Sequence, residues 1–151
     1  MKATLFIVSV LLRSVINGQT IPGDLLHRNG IDSAANTLLV NLYAPNCKNC
    51  IYLNQKLFTD AKQAGYKTYF NVSGLAKEDL QDFRDENGFA KEYPVVLDKN
   101  LSQQMEEGHF YVLQGTTVVS KTDCEYTEPL HEFFEKENEK KRQKSSGLYS
   151  C

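Results

Sequence analysis

Apolar runs alternate with amphipathic stretches along the first half of the chain. Residues 37–43, TLLVNLY, are apolar at nearly every position, which is typical of a strand covered on both faces. Between residues 47 and 64 the apolar positions are spaced by about three and four, and Gly65 provides a stop signal, which together predict a helix. Residues 66–72 then alternate as a second strand. The pattern predicts two strands joined by a helix, in a sheet that is buried on both faces.

The rest of the chain predicts shorter elements and one closing helix. In order, we expect a helix over 76–88, an extended segment over 93–98 led by Pro94, a helical turn over 100–108 with Asn100 or Ser102 as its N-cap, a hairpin over 110–121, and a helix after Thr127 with Leu130, Phe133 and Phe134 as its apolar positions. Residues 137–151 carry little to bury, so we expect a charged, disordered tail there.

Length and charge are typical of one globular domain and do not predict binding to nucleic acid. The 151 residues are 41% hydrophobic and 11% aromatic, which is enough to form a buried core. The formal net charge of −2 provides no basic surface of the kind that neutralises phosphates. Nucleic acid is therefore not an expected partner.

The N-terminal segment has the pattern of an export signal. Lys2 supplies a positive start, an apolar run of about ten residues follows, and Gly18 offers a small residue before a cleavage point. The run is too short to span a bilayer, for which roughly 20 residues are needed. We therefore expect residues 1–18 to be a cleaved signal peptide, no permanent membrane span, and a periplasmic or secreted mature protein. A buried N-terminal strand or helix is the alternative interpretation.

Cys47 and Cys50 form a Cys-x-x-Cys motif directly after the first predicted strand. Such a pair can be a redox-active dithiol, two ligands of a metal, or a structural crosslink. A helix N-terminus stabilises a thiolate, because its free N–H groups and the positive end of its dipole face the sulfur. A closed zinc site would need four ligands, and the sequence contains no second Cys-x-x-Cys and no paired histidines.

The sequence around this motif resembles the thioredoxin superfamily. The stretches LLVNLYAPNCKNC, residues 38–50, and YPVVLDKNLSQQMEEG, residues 93–108, are most similar to exported thiol-disulfide oxidoreductases of the TlpA/ResA type. The resemblance covers roughly residues 25–136. It implies an α/β, thioredoxin-like fold with a central mixed β-sheet flanked by helices, and we expect this domain to occupy residues 19–136.

The resemblance also implies a function and two catalytic residues. In this family the first cysteine forms a mixed disulfide with the substrate and the second resolves it, so we expect Cys47 to be an exposed nucleophile and Cys50 a buried resolving cysteine. Lys48 adds a nearby cation that should lower the pKa of Cys47 further. The implied partners are protein thiols or disulfides and an unidentified redox partner. No cofactor is expected.

One feature departs from the family pattern. Members carry a cis-proline in the loop before the hairpin, where it lies beside the two cysteines and shapes the substrate site. Here MEEGHFYVL, residues 105–113, passes from helix to strand without a proline, and Gly108 and His109 occupy that neighbourhood. A degenerate thioredoxin-fold protein that binds a partner without turnover is therefore the alternative function.

His109 has three interpretations. It could complete a copper site with Cys47 and Cys50, as in Sco-like copper chaperones, which use two cysteines and a distant histidine. It could instead tune the reactivity of the two thiols, or it could be an ordinary loop residue. The Sco-like proteins separate their cysteines by three residues rather than two, which makes the metal interpretation the weaker match.

Two further cysteines have no assigned role in this reading. Cys124 follows the predicted hairpin, and Cys151 is the final residue. They can be incidental thiols, they can form a crosslink with each other, or the tail cysteine can reach the Cys-x-x-Cys motif as a shuttle. Export favours disulfides in general, because they persist outside the cytoplasm.

Overall fold

The computed structural model describes residues 18–147, apart from the side chains of Phe89 and Ala90. Residues 1–17 of the expected signal peptide and Cys151 lie outside this range. Five strands form one mixed sheet in the order β3-β2-β1-β4-β5. The strands are β1 (Asn36–Tyr43), β2 (Lys67–Ser73), β3 (Val95–Val96), β4 (His109–Gln114) and β5 (Thr117–Asp123). β1 is central, as predicted, and runs parallel to β2 and antiparallel to β4.

Helices cover both faces of the sheet. They are α1 (Gly23–Arg28), α2 (Cys47–Leu53), α3 (Gln55–Gln63), α4 (Leu80–Glu86), α5 (Lys99–Gln103) and α6 (Glu128–Gly147). Short 3₁₀ turns occupy Ala44–Asn46, Lys77–Asp79 and Gly88–Glu92. None of the helices between residues 18 and 147 combines the length and the apolar character that crossing a membrane requires.

The central strand is apolar on both sides because a helical layer covers each face. Leu38, Val40 and Leu42 face a core that includes Phe58 of α3 and Phe134 of α6. The alternate residue, Leu39, faces a second core that includes residues of α1 and α5. The near-continuous apolar run in the sequence is thus the consequence of burial on both faces.

The predicted helix over 47–64 is two helices with a break at Asn54. Asn54 has φ −112° and ψ 17°, outside helical values, and it is only 2% exposed. Its side-chain amide donates to the carbonyl oxygens of Cys50 at 2.8 Å and Cys124 at 3.0 Å, while its own oxygen accepts from the Thr127 hydroxyl at 2.8 Å. The side chain therefore links the first helix to the end of the hairpin, and the helix bends where this occurs.

The N-cap of α5 is Asp98 rather than Asn100 or Ser102. Its Oδ1 accepts hydrogen bonds from the backbone amides of Asn100 at 2.8 Å and Leu101 at 3.2 Å. Its Oδ2 accepts from Arg28 at 2.9 Å. Burial opposes ionisation of this carboxyl, but its hydrogen bonds together outweigh that effect and lower its pKa. Asn100 and Ser102, the two N-cap candidates from the sequence, both lie inside α5.

Asp98→Ala should lower the free energy of unfolding by about 1–2 kcal/mol, the usual effect of removing an N-cap acceptor. Asp98→Asn keeps an acceptor for the two amides, so its free energy of unfolding should fall clearly less. Because the pKa of Asp98 is lowered in the folded chain, its contribution is present above the unfolded pKa and is lost as pH falls through the folded one. Urea unfolding of both variants near pH 7 and pH 3 measures this. An equal loss of stability for Asp98→Ala at pH 7 and at pH 3 would contradict this pH dependence.

A buried pair of asparagines fixes the loop that leads into β4. Asn71 donates to the Asn41 side-chain oxygen at 3.0 Å and to the Ser102 hydroxyl at 2.7 Å, and its oxygen accepts from the Asp98 amide at 3.2 Å. Asn41 in turn donates to the Glu106 carbonyl at 3.1 Å. These contacts attach the segment after β3 to the two central strands.

The C-terminal segment is more ordered than the sequence predicts. Residues 137–147, expected to belong to a disordered tail, continue α6 to Gly147. Asn138 donates to the Asp60 carbonyl at 3.1 Å, and the Lys141 ammonium donates to the Gln63 carbonyl at 2.9 Å. Both contacts reach α3 and its C-terminal end, so polar side chains extend the docking of this helix beyond its apolar positions.

Candidate redox site

Three cysteines meet at the edge of the sheet where β1 and β5 both end. Cys47 is the first residue of α2, and Cys50 follows one turn later. Cys124 comes directly after β5, which returns antiparallel to β4 and so ends at the same edge as β1. The Cys124 amide donates to the Gly108 carbonyl at 2.8 Å, which fixes its backbone beside the loop before β4.

Cys50 is disulfide-bonded to Cys124, across a sequence separation of 74 residues and with their Cα atoms 5.5 Å apart. This pairing excludes, in this state, both a free Cys124 and a Cys124–Cys151 crosslink, two of the roles considered from the sequence. Cys47 is a free thiol and is only 3% exposed. The bond in the structure therefore joins one cysteine of the Cys-x-x-Cys motif to a cysteine outside it.

All three cysteines line one cavity of about 290 Å³ that opens to solvent. Its other walls are Leu42, Tyr43, Asn46, Glu107, Gly108, Asp123 and Glu125. A larger groove of about 630 Å³ adjoins it and is lined in part by Cys50, Leu53 and Lys48. Cys50 thus borders both depressions, and it is the most exposed of the three cysteines.

The environment of Cys47 is the reverse of the one predicted. Burial raises the pKa of the Cys47 thiol above its usual value, a backbone hydrogen bond opposes this, and the Glu86 carboxylate raises the pKa further. In the protonated form, Cys47 Sγ donates to the Ala44 carbonyl at 3.1 Å. The expectation of an exposed, acidified Cys47 over a buried Cys50 is wrong, because burial outweighs the helix N-terminus.

Glu86→Gln should lower the pKa of Cys47, because it removes a negative charge that opposes formation of the thiolate. The rate of Cys47 alkylation against pH measures this in a Cys151→Ser background, with peptide mapping to count only the label on Cys47. Glu78→Gln, at an exposed position in the turn before α4, is the matched control and should leave the pH profile of Cys47 alkylation unchanged. A profile equally displaced by both variants, or by neither, would contradict the contribution of Glu86.

Asn54 is a site residue that the sequence analysis missed. Its amide group holds the backbone carbonyls of both bonded cysteines, as described above, and it does so without contact with either sulfur. An asparagine within a predicted amphipathic helix gives no signal by itself. The contact becomes visible only when the hairpin and the helix are placed together.

Gly108 occupies the place where the family resemblance implies a cis-proline. It has φ +71°, a left-handed conformation that favours glycine, and its amide donates to the Asn41 carbonyl at 2.8 Å. No peptide bond within residues 18–147 is cis. Gly108 also lines the cavity that the three cysteines share.

The His109 ring contacts two residues of the preceding loop, Glu106 and Glu107. Its Nδ1 lies 3.0 Å from the Glu107 carbonyl oxygen, and its Nε2 lies 3.0 Å from Glu106 Oε2. Within residues 18–147 no group of three or more His, Cys, Asp or Glu side chains is arranged to hold a metal ion. In the described part of the chain, Cys47, Cys50 and His109 are thus not grouped as a metal site. A role of His109 in tuning Cys47 stays a prediction.

Comparisons with known proteins identify the fold. No known family description matches the sequence, and no curated protein is similar to it. A candidate protein disulfide isomerase from Bacteroides thetaiotaomicron is 14% identical, with a TM-score of 0.55 over 70% of this chain and 73% of its own. A candidate thioredoxin from Neisseria meningitidis is also 14% identical, with a TM-score of 0.52 over 69% of this chain and 75% of its own. The chain therefore has a thioredoxin-like fold, as the resemblance implied.

Proposed function

We propose that this thioredoxin-fold chain is a thiol-disulfide oxidoreductase that exchanges disulfides with protein substrates through Cys47 and Cys50. The observation that carries the proposal is the meeting of three cysteines at one solvent-open cavity at the carboxyl end of the central strand. A purely structural crosslink would need only two of them. Instead, a free thiol lies one helical turn from a disulfide.

The exchange follows from ordinary thiol chemistry. In the dithiol form, the Cys47 thiolate attacks one sulfur of a substrate disulfide, which forms a mixed disulfide and releases one substrate thiolate. Cys50 then attacks Cys47 Sγ, releases the second substrate thiolate and leaves a Cys47–Cys50 disulfide. The substrate gains two electrons and the protein loses two. An unidentified redox partner restores the dithiol.

Burial of Cys47 gives this chemistry a pH dependence. The thiolate is the attacking species, and the pKa of Cys47 is raised, so the rate of attack should rise with pH across the neutral range. The effect of pH on stability is opposite to its effect on the rate. A thiol whose pKa is higher in the folded chain stabilises the fold below its unfolded pKa, and that contribution is lost as pH rises through the folded value.

Insulin reduction by dithiothreitol tests the proposal. Wild-type protein should accelerate the precipitation of insulin, and Cys47→Ser should remove the acceleration. The matched control is Cys151→Ser, which changes a cysteine outside the motif and should keep it. Wild-type protein that adds nothing to the rate of dithiothreitol alone would overturn the proposal.

A second candidate is a thioredoxin-fold protein that binds a partner without turnover. The closed Cys50–Cys124 bond, the burial of Cys47 and the glycine in place of a cis-proline favour it. The insulin assay separates the two functions, because a binding protein gives the same rate with Cys47 and with Ser at this position.

We further propose that the protein acts outside the cytoplasm, where a disulfide such as Cys50–Cys124 persists. The support is the charged and apolar pattern of residues 1–18. Protein recovered from the compartment to which it is exported should begin near Gln19. Intact mass and N-terminal sequencing measure this. Exported protein that still begins at Met1 would contradict the cleavage.

A further inference from the structure

Cys50 lies within disulfide reach of two different cysteines. Its Cα is 5.5 Å from that of Cys124, to which it is bonded. Residues three apart in an α-helix have Cα atoms about 5 Å apart, which is the separation that α2 gives to Cys47 and Cys50. Disulfides span Cα distances of about 4.4 to 6.8 Å, so the Cα separations of both pairings lie within the range of a disulfide.

We propose that Cys47, Cys50 and Cys124 form a three-cysteine relay, in which Cys50 exchanges its disulfide partner between Cys124 and Cys47. The Cys47 thiolate attacks Cys50 Sγ, a Cys47–Cys50 bond forms, the Cys50–Cys124 bond breaks, and Cys124 leaves as a thiolate that takes up a proton. One disulfide and one thiol are present before and after, so no oxidant or reductant is consumed. The relay rests on the proposed function, since it assigns Cys124 to the same exchange site.

Asn54 makes the exchange reversible. Its side-chain amide holds the carbonyl oxygens of Cys50 at 2.8 Å and Cys124 at 3.0 Å. The Cys124 amide is held separately by the Gly108 carbonyl at 2.8 Å. None of these hydrogen bonds involves a sulfur, so they persist when the Cys50–Cys124 bond opens. Cys124 therefore stays beside Cys50 as a released thiol and can attack it again.

In the relay, the form with the Cys50–Cys124 bond is the state before Cys47 reacts. With Cys50 bonded to Cys124, the proposed nucleophile is a buried thiol that donates to the Ala44 carbonyl at 3.1 Å. Conversion to Cys47–Cys50 produces the disulfide of the proposed exchange cycle and leaves Cys124 as the free thiol. The Cys50–Cys124 form is thus a stored oxidised state from which the Cys47–Cys50 disulfide forms without an external oxidant. The redox partner then reduces that disulfide to the dithiol that attacks the substrate.

Charge around the cavity sets the pH at which the relay runs. Cys47 must lose its proton to attack, and the Glu86 carboxylate opposes this. The charged residues that line the cavity are Glu107, Asp123 and Glu125, and Lys48 lines the adjoining groove. Burial of the thiol and the Glu86 carboxylate disfavour the thiolate. The rate of conversion should therefore increase about tenfold for each pH unit below the pKa of Cys47.

The tryptic peptides of this chain resolve the two disulfides. Cleavage after Lys48 separates the two motif cysteines, which places Cys47 in residues 29–48, Cys50 in residues 49–56 and Cys124 in residues 122–136. Oxidised native protein carrying Cys151→Ser is incubated without reductant between about pH 7 and pH 9, quenched in acid, alkylated and mapped. The label should move from Cys47 to Cys124 as a 29–48 to 49–56 crosslink appears, about tenfold faster for each pH unit.

Two controls make the result decisive. Cys47→Ser has no attacking thiol and should keep only the crosslink between residues 49–56 and 122–136 at every pH. Protein unfolded in guanidinium, in which the thiols meet freely, shows how much exchange the method detects. A label that stays on Cys47 in native protein while the unfolded chain exchanges would overturn the relay, and so would a Cys50–Cys124 crosslink that never forms. Either failure leaves the insulin assay, and with it the proposed function, to be judged separately.

Discussion

Cys50→Ser should lower the rate of insulin reduction to that of dithiothreitol alone, whereas Cys124→Ser should retain catalysis. Cys50 is the cysteine that both pairings share, since it is bonded to Cys124 in the structure and lies one helical turn from Cys47. Its loss removes the resolving sulfur and traps the substrate on Cys47. Loss of Cys124 removes only the stored disulfide and leaves the Cys47 and Cys50 pair intact.

The measurement is the initial rate of insulin precipitation by each variant at equal protein concentration. Circular dichroism of each variant confirms that it is folded, so that an inactive protein is not simply an unfolded one. Equal loss of activity in Cys50→Ser and Cys124→Ser would show that the Cys50–Cys124 pair is the active couple. That outcome would contradict the assignment of Cys47 and Cys50.

Removal of the Cys50–Cys124 disulfide should lower the free energy of unfolding by up to about 4 kcal/mol, because a crosslink across 74 residues strongly restricts the unfolded chain. Urea unfolding of oxidised Cys151→Ser protein, with and without Cys50→Ser, measures the difference near pH 7. Reduction of the parent protein should produce a similar loss.

Two comparisons separate the crosslink from the side chain. Cys124→Ser removes the same bond and should lose nearly as much stability as Cys50→Ser. Cys47→Ala removes a buried thiol without opening the disulfide, and it should lose clearly less. A loss in Cys47→Ala as large as in Cys50→Ser would show that packing of the cysteines, rather than the bond, stabilises the fold.

The order of elements could be predicted from the sequence because it depends on local patterns. The apolar run of residues 37–43 indicates a doubly covered strand, and the structure places it at the centre of the sheet. The helix boundaries were harder to predict, since they depend on residues far away in the sequence. The break at Asn54 arises from hydrogen bonds to Cys124 and Thr127, more than 60 residues away in the chain.

The site was only partly predictable for the same reason. The Cys-x-x-Cys motif and its position at a helix start follow from local sequence. The proximity of Cys124 follows from topology: a hairpin that pairs with β1 returns its second strand to the edge where β1 ends. The burial of Cys47 has no local signal. It results from packing around the first turn of α2, and it reverses the pKa shift that the helix N-terminus alone would produce.

Trapping of a mixed disulfide tests the exchange at Cys47 most directly. Reduced Cys50→Ser protein in the Cys151→Ser background is mixed with insulin, quenched in acid and digested with trypsin. We expect an insulin chain bonded to residues 29–48, the peptide that contains Cys47. Insulin bonded only to residues 122–136, the peptide of Cys124, or to neither peptide, would contradict exchange through Cys47.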